Sequence, residues 1–261
     1  MAVLILEGSV GEGKSQKGIP HNLPSDVATV RKRLVQLGYA WVSSITLGTE
    51  KIFVQTTRLI QSMCKGSGKL DKGDGRIDLY GETHRWLAAE NAPGWANIFG
   101  RVGYGWKATT DLRFGEANGG FTSTWMEERL RWAGFEYMTK AFFSISDAPP
   151  LWIRDCSPEK GGNARDHVSH ETGLDVDIRL PLLPPHTNDY FSLEGKDYSR
   201  LFHFEAALIQ VKAIRAKMDP KELFFNDPRF IKLGLSTHQK NHGDHYHVRI
   251  KPPFRVEGTY K

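Results

Sequence analysis

The chain predicts an α+β fold: a small three-helix module over residues 1–100, followed over residues 101–261 by an α+β unit built on an antiparallel sheet. Three observations predict it. Helical periodicity recurs three times between residues 25 and 90. Beyond residue 120 helical and strand patterns mix without regular βαβ alternation, which disfavours a parallel sheet. Two short segments, Leu174 to Ile178 and His245 to Ile250, alternate apolar with polar or charged side chains at the period of a strand.

The elements follow in order. Val3 to Leu6 reads as strand-like, and Gly8 to Ser15 behind it satisfies the P-loop pattern; Gly18 and Pro20 would cut off the helix that a phosphate cradle needs. Residues 25–38 open on Ser25 as a capping residue, set Val27, Val30, Leu34 and Leu37 on one face, and stop at Gly38. A second helix spans about 50–64 with Phe53, Ile60 and Met63 inward. The Gly- and Asp-rich run from Asp71 to Asp78 lacks the ligand alternation of a calcium loop and reads as a turn. A third helix begins at Gly81-Glu82-Thr83 and carries Trp86 and Leu87.

Pro93-Gly94 and the Gly-rich stretch from Gly100 to Gly120 read as a connection. A helix over 123–143 carries Trp125, Leu130, Trp132, Phe135 and Met138, an apolar load expected to face the sheet. Leu151-Trp152-Ile153 is a strand, and Leu201 to Met218 a helix with Phe204, Leu208 and Val211 inward. His203 at its start is expected to cap or face solvent, and Leu223-Phe224-Phe225 is a further strand.

The chemistry concentrates in Ser169-His170-Glu171-Thr172-Gly173-Leu174-Asp175-Val176-Asp177 and His242-Gly243-Asp244-His245-Tyr246-His247. On a strand His245 and His247 share a face, about 6–7 Å apart. Gly173 permits a bend that lets His170 and Asp177 converge. Neutral imidazoles with one carboxylate suit zinc and keep it Lewis acidic, with a second imidazole near enough to handle a proton.

At these residues the chain resembles the penicillin-insensitive murein endopeptidases, within the wider group of lysostaphin-type and D-alanyl-D-alanine peptidases and the hedgehog signalling domain. Ser169, His170, Gly173 and Asp177 match one family pattern and His242, His245 and His247 the other; the likeness runs over roughly residues 105–255. The resemblance implies Zn2+ held by His170, Asp177 and His247, with His245 assisting catalysis and His242 contacting the other imidazoles or substrate. It implies a zinc-dependent hydrolase of peptidoglycan cross-links. The alternatives are a D,D- or L,D-carboxypeptidase trimming stem peptides, or a non-catalytic zinc-containing wall-binding protein. Some relatives carry a second metal at the position of His167, but the matching downstream pair is replaced by Arg200 and His203. Asp26-Val27, Leu34 to Tyr39 and Asp74 to Thr83 resemble a peptidoglycan-binding domain, implying a glycan-docking module over 1–100 ahead of a zinc peptidase domain over 101–261.

Composition bounds the partners. A net charge of +5 favours an anionic partner such as a cell wall, while the absence of a Lys/Arg stripe interleaved with aromatics argues against nucleic acid. No apolar run reaches the ~20 residues of a membrane span. The start reads as lacking a secretory signal, so action in periplasm or wall implies delivery by cell lysis, as with a phage endolysin, or by a contractile injection apparatus that makes the enzyme a toxin. Cys64 and Cys156 are too few for a Cys-based metal site, and Cys156 reads as a buried thiol.

Overall fold

The computed structural model describes residues 4–109, 119–165, 167–186 and 201–258. Its first part carries α1 (Pro24–Gln36), α2 (Lys51–Cys64) and α3 (Glu82–Ala88), with a two-stranded ribbon of β1 (Val10–Gly11) and β2 (Arg76–Ile77). Pro24, at the first helical position, starts α1 with its preset φ, and Ser25 makes no cap; Leu23 holds that position instead. Asp26 in the first turn accepts the backbone N–H of Gly8 at 2.9 Å, tying the N-terminal segment to the helix. Val27, Val30 and Leu34 are buried, and Gly38 ends the turn at φ +96°, a conformation that glycine adopts without strain. Phe53, Ile60 and Met63 of α2 are fully buried, each contributing roughly 1.5–3 kcal/mol by leaving water.

Leu4 and Leu6 are buried and Ile5 is exposed, but this alternating run joins no sheet. The P-loop-like segment holds β1 in its middle, and turns rather than a helix follow it. The Asp71 to Asp78 run is a turn leading into β2, and Asp74 spends its carboxylate on Gln61 and the Arg76 N–H.

The Gly-rich stretch is more than a connection. Pro93-Gly94 leads into β3 (Trp95–Asn97), and the stretch itself contains β4 (Val102–Gly103) and β5 (Trp106–Ala108), before the part that lies outside the described residues. β6 (Phe121–Ser123) pairs with β3 and feeds α4 (Thr124–Ala141), which Ser123 caps by accepting the Met126 N–H. The later elements are β7 (Leu151–Asp155), β8 (Asp175–Arg179), α5 (Phe204–Met218), β9 (Pro220–Phe224), α6 (Pro228–Lys232) and β10 (His245–Ile250). The result is an α+β chain with both helices and antiparallel pairing.

The main sheet has six strands in the order β4-β5-β7-β8-β10-β9, antiparallel except for β5 alongside β7. Alternation along β8 and β10 sends Val176, Ile178, Tyr246, Val248 and Ile250 into the core and leaves Asp175, Asp177, His245, His247 and Arg249 on the opposite face. Buried residues of α4 and α5, among them Leu130, Tyr137, Val211 and Ile214, belong to the same core cluster as the apolar strand residues. Trp132 and Phe135 do not join it: both are more than half exposed, because α4 buries only the face carrying Trp125, Leu130, Ala133 and Tyr137.

One irregularity aims a side chain. β7 pairs Ile153 with Ile178 but Asp155 with Asp177, so one extra residue is accommodated at Arg154 and Asp155 is turned to the polar face. A row of facing residues therefore crosses four strands: Asp155, Asp177, His247 and Phe224.

Candidate metal centre

Asp177 stands at the centre of this row, buried and opposite His247 in register. Its Oδ1 lies 2.9 Å from His247 Nδ1 and 3.3 Å from His170 Nε2, and those two nitrogens are 3.2 Å apart. Its Oδ2 faces His245 Nε2 at 3.6 Å and His167 Nδ1 at 3.7 Å. Each carboxylate oxygen thus meets two imidazoles. His242 completes the cluster with its ring 4.9 Å from that of His245 and 5.5 Å from that of His247.

The approach of His170 depends on two left-handed residues. Gly173 sits at φ +72°, and its carbonyl accepts the Ser123 N–H and both the Thr122 and Ser123 hydroxyls. A Cβ at this position would lie 2.5 Å from the Ser123 nitrogen. His170 itself has φ +69°, a conformation disfavoured for a side-chain-bearing residue by roughly 1–2 kcal/mol. Strain of this kind collects where geometry serves a site.

Electrostatics follow from burial and proximity. Burial works to raise the Asp177 carboxyl, but the His170 and His245 imidazoles hold it well below the usual carboxylate range. Burial disfavours charge on His247, yet Asp175 and Asp177 lift it to about 9. His245 is likewise opposed by burial and raised by Asp177 and Asp244. Burial, then His170, pushes His167 down to about 4, and burial lowers His242. Burial and the Asp177 charge push Asp155 up to about 6.

Carboxylates behind the ring fix the imidazole orientations. His247 Nε2 is 3.1 Å from Asp175 Oδ1 and Nδ1 is 2.9 Å from Asp177 Oδ1; with one N–H held by Asp175, loss of the proton shared with Asp177 leaves the Nδ1 lone pair facing Asp177 and His170. His245 Nδ1 is 2.6 Å from Asp244 Oδ1, which leaves Nε2 facing the cluster. Arg154 braces this second pair, reaching Asp244 at 3.2 Å and Asp155 at 2.9 Å. Phe224 stacks on the His247 ring at 5.5 Å.

His167, His170 and Asp177 each offer an atom within 4.8 Å of the others and could hold a metal ion. The geometry also suits the set of His170, Asp177 and His247. Tetrahedral zinc with bonds near 2.0–2.1 Å spaces its ligand atoms roughly 3.3–3.4 Å apart, and their contacts of 2.9, 3.2 and 3.3 Å lie close to that spacing. A cation between these atoms would take the place of the proton that His247 shares with Asp177 Oδ1. The cluster opens into a cleft of about 810 Å³ that all five histidines line.

All the candidates of the two sequence segments, His170, Asp177, His242, His245 and His247, meet in this cleft, and His167 joins them. His203 does not: it caps α5, accepting the Ala206 N–H, while Arg200 lies outside the described residues. Asp175 and Asp244 escaped sequence reasoning as orienting groups. Asp175 could have been found from its position two residues before Asp177, on the same strand face. Asp244 carries no such signal, since it acts from the turn that leads into β10. Cys156 is buried and its thiol is pushed up by burial. No known family model and no curated protein matches the chain.

Proposed function

We propose that the chain is a zinc-dependent peptidoglycan hydrolase that cleaves peptide cross-links, of the murein endopeptidase type. The observation that carries this reading is the convergence of His170 Nε2, Asp177 Oδ1 and His247 Nδ1 within 3.3 Å of one another, beside an imidazole backed by its own carboxylate. The peptide-bridge substrate comes from the resemblance of the two histidine segments to that family. The same likeness supports a three-helix peptidoglycan-binding module over residues 1–100, a zinc peptidase domain over 101–261, and action in periplasm or wall after lysis or injection.

When bound, zinc supplies Lewis acidity to polarise a carbonyl oxygen and to acidify water near neutral pH. The chain supplies the rest. His170, Asp177 and His247 hold the ion, and Asp175 keeps His247 in the tautomer that can bind. His245 takes and returns a proton at Nε2, its ring held by Asp244 and its positive form stabilised by Asp177 and Asp244. His242 donates Nδ1–H to the Lys240 carbonyl at 2.8 Å, so its Nε2 is left to accept from substrate.

The test is digestion of isolated peptidoglycan by the purified full chain, with and without a chelator, read by fragment mass. Chelator-sensitive conversion of cross-linked dimers to monomers is expected. Loss of one terminal residue from stems would instead assign a carboxypeptidase, and intact sacculi with stoichiometric zinc would assign a binding protein.

A further inference from the structure

The wall of the cleft is not supplied by the sheet and its loops alone. Lys69, in the turn between α2 and β2, lines the same cleft as the histidines although it lies about a hundred residues ahead of them in sequence. Four hydrogen bonds clamp this turn onto the metal segment and its neighbours. The Thr172 hydroxyl donates to the Ser67 carbonyl at 2.7 Å, the Glu171 N–H donates to the Gly68 carbonyl at 3.0 Å, and the Leu70 N–H donates to Glu171 Oε2 at 2.7 Å. From β9, Lys221 Nζ donates to the Gly66 carbonyl at 2.9 Å. The turn is packed so closely that a Cβ on Gly68 would lie 2.4 Å from Arg249 Nη2. It is also fixed from within, because Ser67 Oγ accepts the Lys69 N–H and donates to Asp71.

Charge pairing then singles out Lys69. Of the basic side chains lining the cleft, Arg154 is matched by Asp155 and Asp244, and Arg249 by Asp175 and Glu222. Lys69 and Lys240 are exposed, and among the described residues no carboxylate lies within ion-pair distance of either. The acidic groups of the cleft are occupied with arginines and imidazoles, so two exposed ammonium groups remain in its lining.

We infer that the Gly66–Leu70 turn forms a wall of the substrate cleft and that Lys69, with Lys240, receives a free carboxylate of the bound peptide. This rests on the proposed peptidase reading for the identity of the peptide. It makes the first hundred residues part of the site rather than a separate tether. An exposed ammonium contributes modestly, so the effect belongs in affinity for charged substrates rather than in the chemical step.

The test uses the metal-free full chain, so that binding is measured apart from turnover, with cross-linked muropeptide dimers whose stem carboxylates are either free or amidated. Calorimetry on the Lys69→Met variant is expected to show binding of the free-acid dimer weakened about two- to fivefold and binding of the amidated dimer unchanged. Lys69→Glu is expected to weaken the free-acid dimer further, and 0.5 M salt to bring the wild type close to Lys69→Met, because exposed charges are screened. Equal loss for both dimers, or no loss in either variant, overturns the inference. Turnover of the same dimers by the zinc-loaded wild type is a separate readout. Absence of cleavage there counts against the peptidase reading, while the binding difference still decides the role of Lys69.

Discussion

Asp175→Asn probes how the centre is oriented without touching a metal-facing atom. Asp175, itself fully buried, receives at Oδ1 His247 Nε2 at 3.1 Å, Arg249 Nε at 2.7 Å and the Ser169 hydroxyl at 3.2 Å. Asparagine keeps the shape and removes the charge. A hydrogen bond to a charged group contributes about 1.5–3 kcal/mol against about 0.5–1.5 kcal/mol for a neutral one, so the His247 bond weakens by about 1–1.5 kcal/mol. Orienting partners of metal-bound histidines alter metal affinity by about 10- to 100-fold when removed. The two estimates meet near a tenfold loss. Arg249 retains Glu222 at 2.8 Å, which limits collateral damage. Competition with a chromophoric chelator at fixed pH measures the loss, with urea denaturation run alongside. Affinity within twofold of wild type, in a protein where His247→Ala loses the metal, would refute the claim that Asp175 sets the His247 tautomer.

Other perturbations separate the remaining roles. His245→Ala is expected to keep stoichiometric zinc by elemental analysis while wall lysis falls about 100-fold or more, the scale of a lost acid–base group; Asp177→Ala is expected to lose the metal itself. In the metal-free chain His247 holds its proton up to about pH 9, and metal binding must displace it. Metal affinity should therefore rise with pH between 7 and 9, with about one proton released per ion, measured by calorimetry in buffers of different ionisation enthalpy. Gly173→Ala places a Cβ 2.5 Å from the Ser123 nitrogen at φ +72°, and a loss of about 3 kcal/mol or more in urea denaturation is expected. His203→Ala should cost about 0.5–1 kcal/mol, as for a lost helix cap, and leave metal affinity unchanged. Burial lowers the His203 pKa, so its cap is present above about pH 6.5, the unfolded value, and fades as acid protonates the ring.

The sequence made the central strands legible because period-two alternation is strong in both: Leu174, Val176 and Ile178 on one, Tyr246, Val248 and Ile250 on the other. The same alternation put His245 and His247 on one face. It could not supply the cross-strand register that sets His247 opposite Asp177, since register is a matter of pairing between distant segments. β3, β4 and β5 were hidden because strands of two or three residues show no period. Trp132 and Phe135 illustrate a different limit: aromatic content does not reveal which flank of a helix finds a partner. Nor does sequence announce that His170 adopts a left-handed backbone, since a side-chain-bearing residue rarely does so. Pro24 displaced Ser25 as the start of α1 for a local reason, its ring fitting the first turn.

The Asp155, Asp177, His247 and Phe224 row has a thermodynamic consequence. Because Asp177 and His247 sit opposite each other on main chains bonded in a ladder, these two proposed ligands cannot move apart without breaking the sheet. Amide protons of β8 and β10 should exchange only when the whole molecule opens, so that loss of the ion on heating coincides with melting instead of preceding it.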